Sequence, residues 1–274
     1  MIEKFDNSNF TEILSKYSDF RKSFGLITAN MCTLPIVKTG FIISGEIKDE
    51  DILDLKNEYG QIVMCRPDSN FNCWHKLPRG KDIDINNLTK YYDSIKKNYS
   101  SKLILLCFKH PSIYFTDHYI ERYKISGGIN ILILWKDKII IEYVSKGFDV
   151  GDISRGVINP HQRFVIPWNL IYKDTSELWK KINCEYVGED EYLKSRNRRI
   201  SFLYEIGYDL ETIEKEISQK FTSISYFQFS KILRECILPT VAHSNLFFEN
   251  KTISILINMY NNELHIFEIW ESDK

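Results

Sequence analysis

The sequence predicts a mixed α/β (α+β) protein of two lobes, with a helical region between residues 172 and 240. Three observations carry this. Short apolar runs such as "QIVMC" and "KLILLCF" alternate with helix-periodic segments through the first part of the chain. From residue 126 the pattern changes to paired strands, "GGINILILW" and "KIIIEYV", joined by the turn residues "KD". A charged, helix-periodic stretch then separates these from a final strand pair, "TISILINMY" and "ELHIFEIW", joined by "NN". With 274 residues, 43% of them hydrophobic and 14% aromatic, the chain can bury one large core or two smaller ones.

Taken in order, residues 8–32 read as a helical entry, with Phe10, Ile13, Leu14, Tyr17 and Phe20 at three- and four-residue spacing. A short strand, "TGFIIS", follows. "KDEDILDLKNEYG" has the acids of a helix start and a glycine where a helix ends. "QIVMC" is a buried strand, broken by Pro67, Asp68 and Ser69. After a polar segment, a helix around "INNLTKYYDSIKKNY" leads into "KLILLCF", giving a βαβ-like first half. The helical stretch from Thr175 to Phe221 offers Leu203, Ile206, Leu210, Ile213 and Ile217 as one apolar face. The expected domains are an N-terminal lobe over 1–100 and a second lobe over 101–274.

Lys and Arg total 36 against 37 Asp and Glu, a formal charge of -1, which points to neither a nucleic-acid nor a membrane surface. The six cysteines form no CxxC pair and sit mostly in apolar runs, as reduced, buried thiols do. The N-terminal "MIEKFDNSNF" has no apolar export region, and no apolar run reaches the ~18 residues a bilayer requires, so a cytoplasmic protein is expected.

Three groups of residues could carry chemistry. Lys22 begins a helical segment and Arg66 leaves a buried strand, where a guanidinium can fork onto phosphate or carboxylate; a surface arginine paired with an acid is the plainer alternative. The segment "HKLPRGKD" sets Lys76 and Arg79 around Gly80, a turn whose amides can cradle phosphate or simply face solvent. Glu142 follows three isoleucines and Glu268 lies in "HIFEIW". Each must point outward or meet a cation, and magnesium is a natural one. His75, His110, His118, His161 and His243 offer acid/base chemistry, but the sequence has neither a Gly-x-Ser-x-Gly elbow nor a His-Glu-x-x-His pattern.

Read together, these segments resemble the nucleotide-binding domain of the phosphoenolpyruvate synthase and pyruvate phosphate dikinase family, a branch of the ATP-grasp superfamily. "KSFGLITANMCTLPIVKTGF" is similar to the family's phosphate-binding lysine and the turn that follows it, and "MCRPDS" to its Val-Arg-Ser-Ser strand end. "KGFDVGDISRGVINPHQRFVI" looks like its glycine-rich segment, which puts Gly156 beside the triphosphate, and the final strand pair looks like its metal-binding hairpin. The resemblance covers residues 20–166 and 252–270. It implies a two-lobed ATP-grasp-like fold that binds ATP and Mg between its lobes. Lys22, Arg66, Lys76, Arg79 and Gly80 would serve the phosphates, Lys22 and Arg66 acting in catalysis, with Glu142 at the nucleotide and Asn258 and Glu268 at the metal. Asn258 replaces a family glutamate, Glu268 a glutamine and Trp270 an arginine. The family also continues into a phosphohistidine domain, so the acceptor is expected to be a small molecule or a separate phospho-acceptor protein. A phosphotransferase or ligase and a non-catalytic nucleotide- or protein-binding module both remain open, as does oligomeric state.

Overall fold

The structure, a computed structural model, describes residues 1–36, 39–69, 77–78, 81–99, 102–109, 126–148, 150–154, 156–205, 207–247, 251–260 and 263–273. The chain forms two compact units, one of residues 1–31 and 36–118, the other of residues 32–35 and 119–274. Among the described residues no helix is long and apolar enough to cross a membrane.

In the first unit the described strands are β1 (Ile2–Phe5), β2 (Gly40–Ile43), β3 (Ile62–Ser69), β4 (Lys81–Asp84) and β5 (Leu103–Lys109), in sheet order β1-β2-β5-β3-β4. All neighbours are antiparallel. β5 is central, and this explains its unbroken apolar run: both of its faces are covered. Leu103, Leu105 and Cys107 pack with Leu55 and Tyr59 of α3 (Asp49–Tyr59) and with Leu88, Tyr92 and Ile95 of α4 (Leu88–Asn98). Ile104, Leu106 and Phe108 pack with Phe10 and Ile13 of α1 (Phe10–Lys16) and with Leu26 and Ile27 of α2 (Arg21–Met31). Gly60 adopts a φ of 93° just after α3, the helix-ending role the sequence expects of it.

Four expectations change here. The boundary at residue 100 cuts off β5, which belongs to the first sheet because it pairs with β2 and β3. The βαβ-like reading of the first half fails for β3, α4 and β5, since β3 and β5 pair antiparallel; β2 and β3 run in the same direction, but β5 lies between them, antiparallel to both. The helical entry is two helices, α1 and α2, separated by a turn in which Phe20 N–H donates to Tyr17 O; the apolar spacing survives the break because both rings stay buried. Finally, Pro67 does not end β3. Among the described residues β4 pairs with β3 only as far as Cys65, so no described β4 pairing calls on the N–H that Pro67 lacks, and β3 continues beside β5 to Ser69.

In the second unit the described strands are β6 (Gly127–Leu134), β7 (Lys138–Ser145), β8 (Gln162–Pro167), β9 (Asn183–Tyr186), β10 (Lys251–Tyr260) and β11 (Glu263–Asp273), ordered β11-β10-β6-β7-β8-β9 and antiparallel throughout. Both hairpins read from the sequence are present. Pro35 O accepts Ile266 N–H, giving β11 a partner on its outer edge. Phe164 of β8 packs on Trp179 of α6 (Thr175–Lys181) and on Phe229 of α9 (Tyr226–Ile232), on the face opposite the charged residues of β8. The other face carries Val144 and Leu256 against α5 (Val150–Ser154), α7 (Glu189–Glu205) and α8 (Leu210–Glu216).

The helical region is therefore segmented and includes a strand, β9. Leu203, Ile213 and Ile217 are buried as one cluster, but Leu210 is 42% exposed and Ile206 lies outside the described residues. The reason is a fresh helix start. Gly207 turns the chain with a φ of 99°, and Asp209 caps α8 by accepting Thr212 N–H at 2.8 Å, so Leu210 opens a new helix rather than continuing α7.

His161 sits at the base of this cluster, fully buried. Its Nδ1 accepts Ser145 N–H at 3.0 Å, which fixes a neutral ring with the proton on Nε2, and its ring lies edge-on to Phe148 and Tyr192 at 4.5 and 4.7 Å. It is a structural histidine. Burial lowers its pKa to about 4 from an ordinary 6.5. The unfolded chain binds this proton first, so the associated stability is complete above pH 6.5 and is lost as pH falls towards 4, by about 3 kcal/mol in all. Urea unfolding at pH 7.5 and 4.5 should show wild type losing about 2 kcal/mol more over this interval than His161→Gln; equal losses would show that His161 is not the responsible group.

Candidate functional site

Residues from distant parts of the sequence meet on β3. Strand alternation turns Val63 and Cys65 towards α3 and α4, and turns Met64, Arg66 and Asp68 to the face of α1 and α2. Asp68 is fully buried. Its Oδ2 accepts both the N–H of Ser23 at 2.8 Å and the Ser23 hydroxyl at 2.9 Å, while Oδ1 accepts Ser69 N–H at 2.9 Å. Ser23 is in the first turn of α2, where N–H groups have no acceptor within the helix, so a strand carboxylate 45 positions away caps the helix. Burial raises the Asp68 pKa, and the Ser23 bonds and the nearby Lys22 charge oppose the shift.

This cap brings Lys22 to the strand. Its Nζ donates to Pro67 O at 2.9 Å, between Arg66 and Asp68 in the chain. Lys22 and Arg66 are both half-buried. The two cations that the sequence singles out are thus carried on elements joined by one buried carboxylate. Lys76, Arg79 and Gly80, with His75, His110 and His118, lie outside the described residues.

In the second unit a polar row crosses the sheet. Leu256 pairs with Glu268 on β11 and with Asn130 on β6; Asn130 pairs with Glu142 on β7, Glu142 with Arg163 on β8, and Arg163 with Glu185 on β9. Glu142 lies within β7, which continues to Ser145. Its Oε2 accepts from Asn130 Nδ2 at 2.8 Å, Oε1 is 3.7 Å from Arg163 Nε, and Asn130 Oδ1 accepts the Ser254 hydroxyl at 3.0 Å. Arg163 is the cation that its apolar surroundings demand. Three strand spacings, about 14 Å, separate Glu142 from Glu268, so the two do not form one ligand pair.

Asn258 and Glu268 fit a metal better. A bulge between Leu256 and Ile257 sets His265, rather than Ile266, opposite Asn258, and leaves Asn258 and Glu268 on the same face of adjacent strands. Asn258 Oδ1 is buried and makes no hydrogen bond. An orphaned amide oxygen and a carboxylate are the hard donors magnesium accepts, with phosphate and water completing its shell. No group of three or more His, Cys, Asp or Glu is arranged for a metal among the described residues. His265, whose pKa burial lowers to about 4, was not anticipated, because the bulge that places it has no sequence signal.

Gly156 follows α5 with a φ of 67°, and its N–H donates to Ile153 O at 2.8 Å. A Cβ there would meet nothing within 4 Å. The left-handed backbone, not the nearness of any protein atom, is the reason for glycine at this turn. His243 Nδ1 is 2.8 Å from Pro239 O, one turn back in the chain, a local structural contact.

No protein-family model matches the chain, and no curated protein matches it. Among solved structures it is similar to a D-alanine–D-alanine ligase from Bacillus anthracis, at 7% identity and a TM-score of 0.38, covering 96% of this chain and 55% of that one. It is also similar to the D-cycloserine synthetase DcsG, at 8% identity and a TM-score of 0.40, covering 95% and 64%. A D-alanine–D-alanine ligase from Helicobacter pylori gives 10% identity and a TM-score of 0.39, covering 94% and 59%. The chain spans less than two thirds of the length of each.

Asp68→Ala leaves the Ser23 N–H and hydroxyl and the Ser69 N–H without their acceptor. It should lower stability by about 3 kcal/mol in urea unfolding, a larger loss than that of Asp209→Ala, which removes a helix cap open to water. A loss at Asp68 no larger than at Asp209 would remove it as the anchor of α2. Gly156→Ala should cost about 1 to 2 kcal/mol through its backbone alone, read from the same transition.

Proposed function

We propose that the chain is an ATP-grasp-like protein that binds ATP with magnesium and transfers a phosphoryl group, as the resemblance to the phosphoenolpyruvate synthase and pyruvate phosphate dikinase family implies. The observation that supports this most is the Lys22 amine on Pro67 O, one residue beyond Arg66. The resemblance assigns both cations to phosphate, and the two lie far apart in sequence. In this reading Lys22 exchanges the Pro67 carbonyl for a phosphate oxygen, Arg66 neutralises a second, and Asp68 keeps the helix start in place throughout. Asn258 and Glu268 would hold magnesium, which when bound offsets the charge of the phosphates. The acceptor is proposed to be a small molecule or a separate phospho-acceptor protein. Attack of an amine on a phosphorylated carboxylate would make the protein a ligase.

A second reading, a nucleotide-binding module without catalysis, is favoured by one feature: a single carboxylate in the metal pair, with an amide at Asn258. Formation of ADP or AMP by the purified protein with candidate acceptors separates the two.

Lys22→Ala and Arg66→Ala should each weaken magnesium-ATP binding ten- to a hundredfold, the loss of a charge-assisted hydrogen bond of about 1.5 to 3 kcal/mol, in titration calorimetry. Unchanged affinity in both refutes the phosphate assignment. Glu268→Gln should reduce the magnesium-dependent part of binding, whereas Glu142→Gln, which weakens a bond to Asn130 and an ion pair with Arg163, should change the unfolding midpoint instead. The reverse pattern would move the metal site to β7.

A further inference from the structure

Cys65 of β3 and Cys107 of β5 are directly opposed in the antiparallel register, and both are fully buried beneath α3 and α4. Their Sγ atoms are 3.5 Å apart. Opposed residues on neighbouring antiparallel strands have Cα separations of about 4.5 to 5.5 Å, within the range disulfides use, so a bond needs side-chain rotation and no strand movement. The next residue along β3 is Arg66, and Asp68 lies two beyond it.

We propose that Cys65 and Cys107 form an oxidative modification site, a dithiol that hydrogen peroxide closes to a disulfide, stapling β3 to β5 beside Arg66. One thiolate attacks a peroxide oxygen; the O–O bond breaks and leaves a sulfenic acid and, after protonation, water. The second sulfur attacks the sulfenic sulfur, the S–O bond breaks, and the hydroxyl departs as a second water with the remaining thiol proton. Two thiols and one peroxide thus give one disulfide and two waters: the sulfurs are oxidised and the peroxide oxygens reduced. The neighbouring thiol intercepts the sulfenic acid before a further oxidation can occur. Burial holds the Cys107 thiol protonated in the closed state, so reaction proceeds through local opening of the α3–α4 cover and its rate follows that opening.

The test exposes the reduced full-length chain to hydrogen peroxide, quenches by alkylation under denaturing conditions and maps the peptides. Expected is a Cys65–Cys107 linked peptide lighter by two hydrogens, formed more slowly than oxidation of the half-exposed Cys184 and several-fold faster in sub-denaturing urea. The oxidised protein should unfold several degrees higher, with reversal by dithiothreitol. Cys65→Ser should show neither the link nor the shift. Complete alkylation of both residues after Cys184 has been oxidised would overturn the proposal. So would sulfinic acid at either residue, or a link from either to Cys73. A Cys65–Cys107 disulfide that leaves the midpoint unchanged or lowered would refute the staple.

Discussion

The first unit depends on a carboxylate with no exposure to water. Asp68 stands at the end of β3 with three donors on its two oxygens, two of them from the first turn of α2. A helix start leaves N–H groups unsatisfied, and a buried strand end leaves a carboxylate without solvent; each group removes the other's cost. The contact also has a direction. It fixes where α2 begins, and α2 carries Lys22 at that beginning, so the ammonium reaches β3 because the helix is tied to the strand and not because a long side chain happened to find a carbonyl. The apolar ladder around β5 gives this tie a rigid base, since its two faces are locked by two different helix pairs.

In the second unit the same physics works across a sheet. Asn130 and Ser254 are almost completely buried, and each is acceptable because Ser254 bonds Asn130 and Asn130 bonds Glu142, whose charge is met by the partly exposed Arg163 guanidinium 3.7 Å away. Such a thread fixes register. A slip of one residue in β6 against β7 would turn Asn130 into the isoleucine-lined face and leave Glu142 without its amide partner, so the polar residues exclude alternatives that the surrounding isoleucines would tolerate.

Much of the fold was legible because hydrophobic period and turn chemistry are local: both hairpins, α3 with Gly60, and the doubly buried β5 follow from short windows of sequence. The four-residue edge strands β1, β4 and β9 were missed, as pieces too short to show a period. Pro67 was misread because a proline's effect in a strand depends on whether a neighbour needs its N–H, and among the described residues β4 pairs with β3 no further than Cys65. At the site, Lys22, Arg66, Glu142, Asn258 and Glu268 were visible as residues, but their partners were not. Ser23 meets Asp68 across 45 positions and Ser254 meets Asn130 across 124. An aspartate after a buried strand and an asparagine inside "INILIL" are signals that a partner must exist; only the fold names it.

The charges around Asp68 also couple protonation to whatever Lys22 binds. All three donors to Asp68 require an acceptor, so the ionised carboxylate fits the geometry even though burial raises its pKa. Lys22 is the nearby cation that eases this conflict. An anion that shared the Lys22 charge would reduce that compensation and raise the Asp68 pKa further. By linkage, protonating Asp68 would then strengthen the hold of Lys22 on the anion, because one positive charge no longer serves two negative ones. Against this, a protonated carboxyl gives up an acceptor to Ser23 or Ser69 and loosens the start of α2. Positioning and attraction thus pull in opposite directions as pH falls, and the cap that places Lys22 is the same interaction that limits how much of its charge is available to a ligand.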